Sequence, residues 1–340
     1  MSSLQYPWPQ TPPPGETIEV APGIHWLSMP LPFQLDHINL WLLQDEDGWT
    51  VVDTGIGNAA TRALWDKIFS RFQNVKRVIL THYHPDHAGN AAWICERFGV
   101  EMWTTQGEYL TAHAVRSSGA GYTSDAVLAV FKKNGLAEER IDGMAAIRGN
   151  NRYSALVPEF PHSYRRIIEG DTVRIGGREW KAIIGHGHAP EHLSLFCAQL
   201  NTVIAGDMLL STISTNVSVW SIDPQGDPLR LFLESIAGYR ELPGDVLVLP
   251  SHGKPFRGAH TRVEQLEKHH EARLGELKQA LAVKPQAAAD LLGVLFRRPL
   301  DAHQTFFAMG EAIAHLHYLY YAGEAIRAVG TDGVMRYATA

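Results

Sequence analysis

In the stretch Thr81-His82-Tyr83-His84-Pro85-Asp86-His87-Ala88-Gly89, three imidazoles and one carboxylate fall within six residues. These side chains hold borderline divalent cations. In an extended segment His82 and His84 project to the same side, so their nitrogens can converge on one ion. Pro85 ends the extended run, and the turn after it re-aims Asp86 and His87 toward a neighbouring point. The spacing predicts two adjacent metal sites rather than a loop decorated with histidines. Five other histidines, His269, His270, His303, His315 and His317, lie in C-terminal helical segments without a carboxylate at ligand spacing. They read as packing or surface residues.

A rigid frame must present these groups. Short β-like runs fill about 18 to 53, a helix is predicted over 58–73, and the apolar strand 75–80 leads straight into the histidines. A further helix (90–98), a strand (100–104) and strand signals at 172–184, 193–198, 201–205 and 246–250 complete an interleaved α/β pattern. Residues 1–17 read as an extended Pro-rich leader. The catalytic-type domain is expected over 18–258, with a helical insertion at about 106–166. A C-terminal domain is expected over 259–340, with helices at 261–282, 286–297 and 304–322 and a β-wing at Gly330–Tyr337. The stripe Phe306, Met309, Ile313, Leu316 and Tyr320 follows helical spacing and reads as core.

Composition narrows the function classes. The 340 residues are 45 % hydrophobic and carry 30 Lys+Arg against 36 Asp+Glu, a net charge of −6. With a pI near 6.3 and a mean hydropathy of −0.14, the chain does not read as one that coats nucleic acid or an anionic membrane. No run approaches a membrane span, and no signal-peptide pattern opens the chain. The two cysteines, Cys95 and Cys197, make no CxxC pair, which suits a reducing compartment, so a cytoplasmic location is expected.

The HxHxDH pattern after a buried strand resembles the signature of the metallo-β-lactamase fold superfamily, which includes glyoxalase II-like hydrolases. Val51-Val52-Asp53-Thr54-Gly55 is similar to its strand-end DTG element. Gly187-His188-Ala189-Pro190-Glu191-His192 resembles its GHTPGH element, Ala205-Gly206-Asp207 its strand-end aspartate, and Pro250-Ser251-His252-Gly253 its late GHG element. Glu191 and Ser251 stand where glycine is common. The resemblance implies a four-layer αββα sandwich, here with the helical insertion and a small C-terminal winged-helix-like domain typical of one branch. It implies His82, His84 and His188 on one metal, Asp86, His87 and His252 on a second, and Asp207 bridging both. Asp53 would support the metal loop by hydrogen bonding or merely cap a turn. His192 would play a supporting part, and His186 competes with His188 on spacing alone.

From that resemblance follows a dinuclear hydrolase in which a metal-bridging hydroxide attacks an ester-like carbonyl, with Asp86 or Asp207 orienting it. A thioester or lactone is favoured over a β-lactam. Zinc is the expected metal, with iron, manganese and nickel as alternatives. Tyr122, Tyr153, Tyr164, Arg165 and Arg166, with Arg152, offer aromatic surface and cationic forks suited to a small-molecule substrate such as an acyl thioester of coenzyme A. The oligomeric state stays open, and the apolar surfaces of the C-terminal module would suit a homodimer. A ribonuclease or nucleic-acid-binding hydrolase is disfavoured, because Arg297-Arg298 stands as an isolated pair. A mononuclear iron dioxygenase is disfavoured by the second set of ligands.

Overall fold

In the computed structural model, which describes residues 3–33, 35–119, 121–148 and 152–340, strand β3 (His37–Asp45) is buried on both faces along most of its length. Alternate residues therefore enter two different cores. Leu40 and Leu42 pack beneath helices, while Trp41 and Leu43 enter a layer shared with a second sheet. The side chains of 146–148 and 152 lie outside the described residues.

The first sheet has seven strands in the order β1 (Thr17–Ala21), β2 (Ile24–Pro30), β3, β4 (Gly48–Val52), β5 (Val75–Ile79), β6 (Met102–Thr104) and β7 (Arg165–Arg166). Its first four strands form antiparallel hairpins, and β4 to β7 run parallel. The second sheet has six strands in the order β13 (Phe256–Arg257), β12 (Leu247–Pro250), β11 (Thr202–Gly206), β10 (His192–Cys197), β9 (Arg178–Gly185) and β8 (Thr172–Ile175). Only β11 and β12 pair in parallel there.

Trp26, Trp41 and Trp180 fill the layer between the sheets, fully buried. Truncating any one to alanine is expected to cost about 3–5 kcal/mol. Outside the first sheet lie α1 (Ala59–Phe69), capped by Asn58, and α3 (Ala91–Phe98), contributing Trp65, Phe69 and Ile94. Across the second sheet, Ser194 of β10 hydrogen-bonds Tyr239 Oη at 2.6 Å, so the turn Gly238–Glu241 covers its outer face. Two sheets between helical coverings match the expected layering. The leader meets β13, where Gln5 and Arg257 exchange main-chain bonds of 3.1 and 2.9 Å.

The chain divides into two compact units. The first comprises 1–116, 153–215 and 235–263; the second comprises 117–152, 216–234 and 264–340. The sequence reading placed a single boundary at 258/259, whereas the second unit gathers three stretches. Its own core is built on α11 (Ala302–Tyr321), which starts with an Asp301/Gln304 capping box and buries Phe306, Met309, Ile313 and Leu316. Phe131 of α5 (Ser124–Lys133) meets Phe306 edge to face at 5.4 Å.

The stretch 106–166 is helical in α4 (Gln106–Arg116), α5, α6 (Glu138–Arg148) and α7 (Arg152–Leu156), but it ends in strand β7. Parallel pairing of Arg165 with Trp103 makes that strand, and two arginines give no apolar signal of it. The terminal hairpin pairs β14 (Ala325–Val329) with β15 (Met335–Thr339), so 330–334 form its turn rather than the wing itself. The segment expected as a helix over 286–297 contains a 3₁₀ turn at Ala288–Leu291 and the single-turn helix α10 (Leu292–Leu295). The remaining elements are α2 (Pro85–Ala88), α8 (Pro228–Ala237) and α9 (Ala259–Leu281).

Candidate metal centre

Parallel strands open their carboxyl ends on one edge, where side chains from distant sequence positions can meet. Asp53 follows β4, residues 82–87 follow β5, Asp207 follows β11 and His252 follows β12, while His188 lies in the turn between β9 and β10. Asp53 takes a left-handed backbone (φ 59°), which an aspartate tolerates better than most residues. Gly206, at φ 53°, sits so close to the His192 ring that a Cβ would collide with it. Gly57 and Gly89 likewise bring two backbones into contact that no side chain could separate. All these groups belong to the first unit.

Two clusters of ligand-type atoms result: His82, His84, His188 and Asp207, and beside them Asp86, His87 and His252. His82 Nε2 lies 2.9 Å from His84 Nδ1 and 3.2 Å from His188 Nε2. Asp207 Oδ2 is 3.4 Å from His188 Nε2 and 4.0 Å from His82 Nε2. In the second cluster His252 Nε2 stands 3.4 Å from Asp86 Oδ2, and His87 Nε2 stands 3.8 Å from it. The other oxygen of Asp207, Oδ1, is 3.6 Å from both His87 Nε2 and His252 Nε2. Ligand atoms around one tetrahedral cation with bonds of 2.0–2.1 Å sit about 3.3 Å apart.

The donor set fits divalent cations on a second ground. His87 Nε2 and Asp207 Oδ1 are buried without a hydrogen-bond partner, a costly state for polar atoms that a cation between them would relieve. The far nitrogens are anchored, which leaves each Nε2 turned to its cluster. His82 Nδ1 lies 3.0 Å from Thr81 Oγ1, which itself donates to Asp53 Oδ2 at 2.8 Å. His87 Nδ1 meets Asp53 Oδ2 at 2.8 Å, and His252 Nδ1 donates to the His37 carbonyl at 3.0 Å. Asp53 also accepts the Thr81 main-chain N–H at 2.8 Å, so one carboxylate orients both ends of the histidine loop.

Electrostatics sort the two clusters. Burial, reinforced by neighbouring imidazoles, holds His82 well below the usual histidine range and His84 at about 3. These rings stay neutral, as metal ligands must. Burial opposes ionisation of Asp86 and Asp207, yet facing imidazoles prevail, bringing Asp86 down to about 2 and Asp207 well below the carboxylate range. Against its own burial, His87 is raised to about 10 by Asp53, Asp86 and Asp207, and His252 is raised by Asp207 and Asp86. The second cluster thus calls for positive charge.

The supporting residues are also located. His192 Nε2 accepts the Asp207 main-chain N–H at 3.0 Å, and burial keeps the ring neutral. His186 turns its Nδ1 onto the Pro190 carbonyl at 2.7 Å and joins neither cluster. Asn39, fully buried, was missed in the sequence. Its amide nitrogen donates to the carbonyls of Pro250 and Gly253 at 2.8 and 2.7 Å, its main-chain N–H donates to Ser251 at 2.7 Å, and its oxygen accepts from Trp26. It ties β3 to the loop that bears His252. Its partners in that loop are main-chain carbonyls more than 200 residues away, so only its place inside an apolar strand marked it.

The candidate substrate residues scatter. Tyr153 Oη donates to the Tyr83 carbonyl at 2.6 Å, beside the histidine loop. Tyr164 stacks on Tyr109 at 4.0 Å. Arg165 lies over Trp103 at 4.2 Å, and Arg166 is exposed on the same edge strand. Tyr122 belongs to the second unit, and the Arg152 side chain lies outside the described residues.

Residues 34–252 match the Metallo-beta-lactamase superfamily, and 274–340 match the metallo-beta-lactamase-like C-terminal domain. A beta-lactamase domain protein from Burkholderia ambifaria is 48 % identical, aligns over 99 % of this chain and 98 % of its own, and superposes with a TM-score of 0.92. The probable metallo-hydrolase YqjP of Bacillus subtilis is 24 % identical over 86 % of this chain and 91 % of its own length. The hydroxyacylglutathione hydrolase GloC of Haemophilus influenzae is 23 % identical over 65 % of this chain and 86 % of its own. With the strand-end cluster of histidines and aspartates, these matches identify the chain as a metallo-hydrolase that belongs to the metallo-beta-lactamase superfamily.

Proposed function

We propose that this metallo-hydrolase is dinuclear and cleaves an ester-like carbonyl compound, a thioester or lactone in preference to a β-lactam. The observation that carries the proposal is the split carboxylate of Asp207, which turns Oδ2 to one cluster and Oδ1 to the other. His82, His84 and His188 would hold one cation, Asp86, His87 and His252 the other, and zinc is the metal of choice for imidazole nitrogens combined with carboxylate. Bound there, divalent cations lower the pKa of water toward neutrality and polarise the scissile carbonyl. The chain's own contribution is geometric and protonic. Asp86 or Asp207 would orient the attacking water and relay its proton, and Asp53 and His192 would keep the loops in place. The name of the Haemophilus relative, a hydrolase of hydroxyacylglutathione, supports an acyl-thiol substrate.

On the substrate side, Arg165 and Arg166 on the exposed edge strand would take the phosphates of a coenzyme A leaving group, with Tyr153 and Tyr164 as aromatic surface. The C-terminal stretch 259–340 would be a winged-helix-like module, and the enzyme would act as a homodimer in the cytoplasm. No helix among the described residues is long and apolar enough to cross a membrane. The deciding experiment pairs elemental analysis of the purified protein with turnover of a thioester, a lactone, a β-lactam, a phosphodiester and single-stranded RNA. Two metal equivalents with thioester or lactone turnover are expected; turnover of the phosphodiester or RNA alone would overturn the reading. Within the panel, Arg165→Ala and Arg166→Ala should raise KM for a CoA thioester more than for an uncharged one.

A further inference from the structure

Glu108, in the first turn of α4, is 1 % exposed, and among the described residues no lysine or arginine pairs with it. A carboxylate so placed is costly unless its oxygens are fully engaged. Both are, by main-chain donors from two different loops. Oε2 accepts the N–H of Tyr83, the residue between His82 and His84, at 2.9 Å. Oε1 accepts the N–H of Glu191, three residues after His188, at 2.7 Å. The contact is reciprocated, because Glu191 Oε2 accepts the Gly107 N–H at 2.8 Å and Thr105 Oγ1 donates to the Glu191 carbonyl at 2.8 Å. The positive end of α4 further favours a carboxylate at this position. Tyr153 holds the carbonyl side of the same Tyr83.

We propose that Glu108 is a positioning residue that locks the His82/His84 loop to the His188 loop, so that three imidazole nitrogens from two loops stand at ligand spacing before a cation arrives. This rests on the metal-centre reading above. Each N–H has its own carboxylate oxygen, so the two loops are held through one side chain. Glu108→Gln keeps the shape but sets an NH₂ against one of the two donors, unlatching one loop. Thr105→Val weakens the same clasp from the other side.

The experiment measures Zn²⁺ affinity by chelator competition, with thermal unfolding alongside, for the wild type, Glu108→Gln, Thr105→Val and the control Asp45→Asn. Asp45 is a buried carboxylate bonded to Thr50, Arg77 and Gly176, away from the histidine loops. The expected result is an affinity lowered about 10- to 100-fold by Glu108→Gln, the usual loss when a hydrogen-bond partner behind the ligands is removed. A smaller loss is expected from Thr105→Val and none from Asp45→Asn, whatever it does to the Tm. Wild-type affinity in folded Glu108→Gln would overturn the inference, as would an equal loss in Asp45→Asn. Should Glu108→Gln not fold, unchanged affinity in Thr105→Val would overturn it. A wild type that takes up no Zn²⁺ would instead defeat the metal-centre reading.

Discussion

Each of the two units buries histidines, and His87 and His252 of the first unit behave oppositely to the buried pair of the second. In the second unit His270 Nδ1 and His315 Nε2 lie 3.1 Å apart, and His315 Nδ1 donates to the Glu311 carbonyl at 2.8 Å. That bond leaves His315 Nε2 as an acceptor, so His270 Nδ1 carries the proton between the rings. Phe232 packs edge to face on His270 at 5.8 Å. Among the described residues no carboxylate joins the pair in a ligand cluster. Burial pushes His270 down to about 2 and His315 to about 4. Beside three carboxylates, His87 in the first unit goes up to about 10 despite equal burial. Burial alone makes a histidine inert; carboxylates facing the same cavity turn it into half of a cation site.

The contrast can be broken most forcefully at Asp207. Asp207→Ala removes the oxygen pair common to both clusters and is expected to abolish turnover together with bound metal, as read by assay and elemental analysis, with His84→Ala close behind. His270→Gln should leave the metal content unchanged; turnover surviving Asp207→Ala would break the comparison outright. Next in size, Asn39→Asp sets a carboxylate oxygen against the carbonyls of Pro250 and Gly253, displacing the loop of His252. Its expected cost is about 10- to 100-fold in metal affinity, and unchanged affinity would show that loop to be held by other means.

The smallest expected effect concerns acid. His270 and His315 have folded values depressed below 6.5, so the unfolded chain binds more protons in acid. The stability they allow is fully present above about pH 6.5 and falls as pH drops toward their folded values. Hydrogen exchange should show α9 and α11 losing protection between about pH 6 and 4, and His270→Gln should flatten that slope. An unaltered slope in the variant would locate the acid sensitivity elsewhere.

What could be read in the sequence followed the distance between partners. His82, His84, Asp86 and His87 announce themselves because they are neighbours along the chain as well as in space. His188, Asp207 and His252 were reached through family landmarks, since nothing local distinguishes them from other histidines and aspartates. Asn39 and Glu108 escaped because each binds main-chain atoms of remote loops, which leave no residue-type signature. The hairpins, parallel strands and core stripe of α11 were visible through periodicity. Strand β7 was not, because at an exposed edge its pairing comes from the backbone alone. The grouping of 117–152 and 216–234 with the C-terminal stretch depends on tertiary packing that no local pattern encodes.

The two main-chain bonds between Gln5 and Arg257 also bear on how the protein should be handled. They occupy an outer rim of the six-stranded sheet that would otherwise offer free N–H and C=O groups to any passing polypeptide. Trimming the first dozen residues, or crowding them with a purification tag, would uncover that rim and invite sticky, concentration-dependent association unrelated to catalysis.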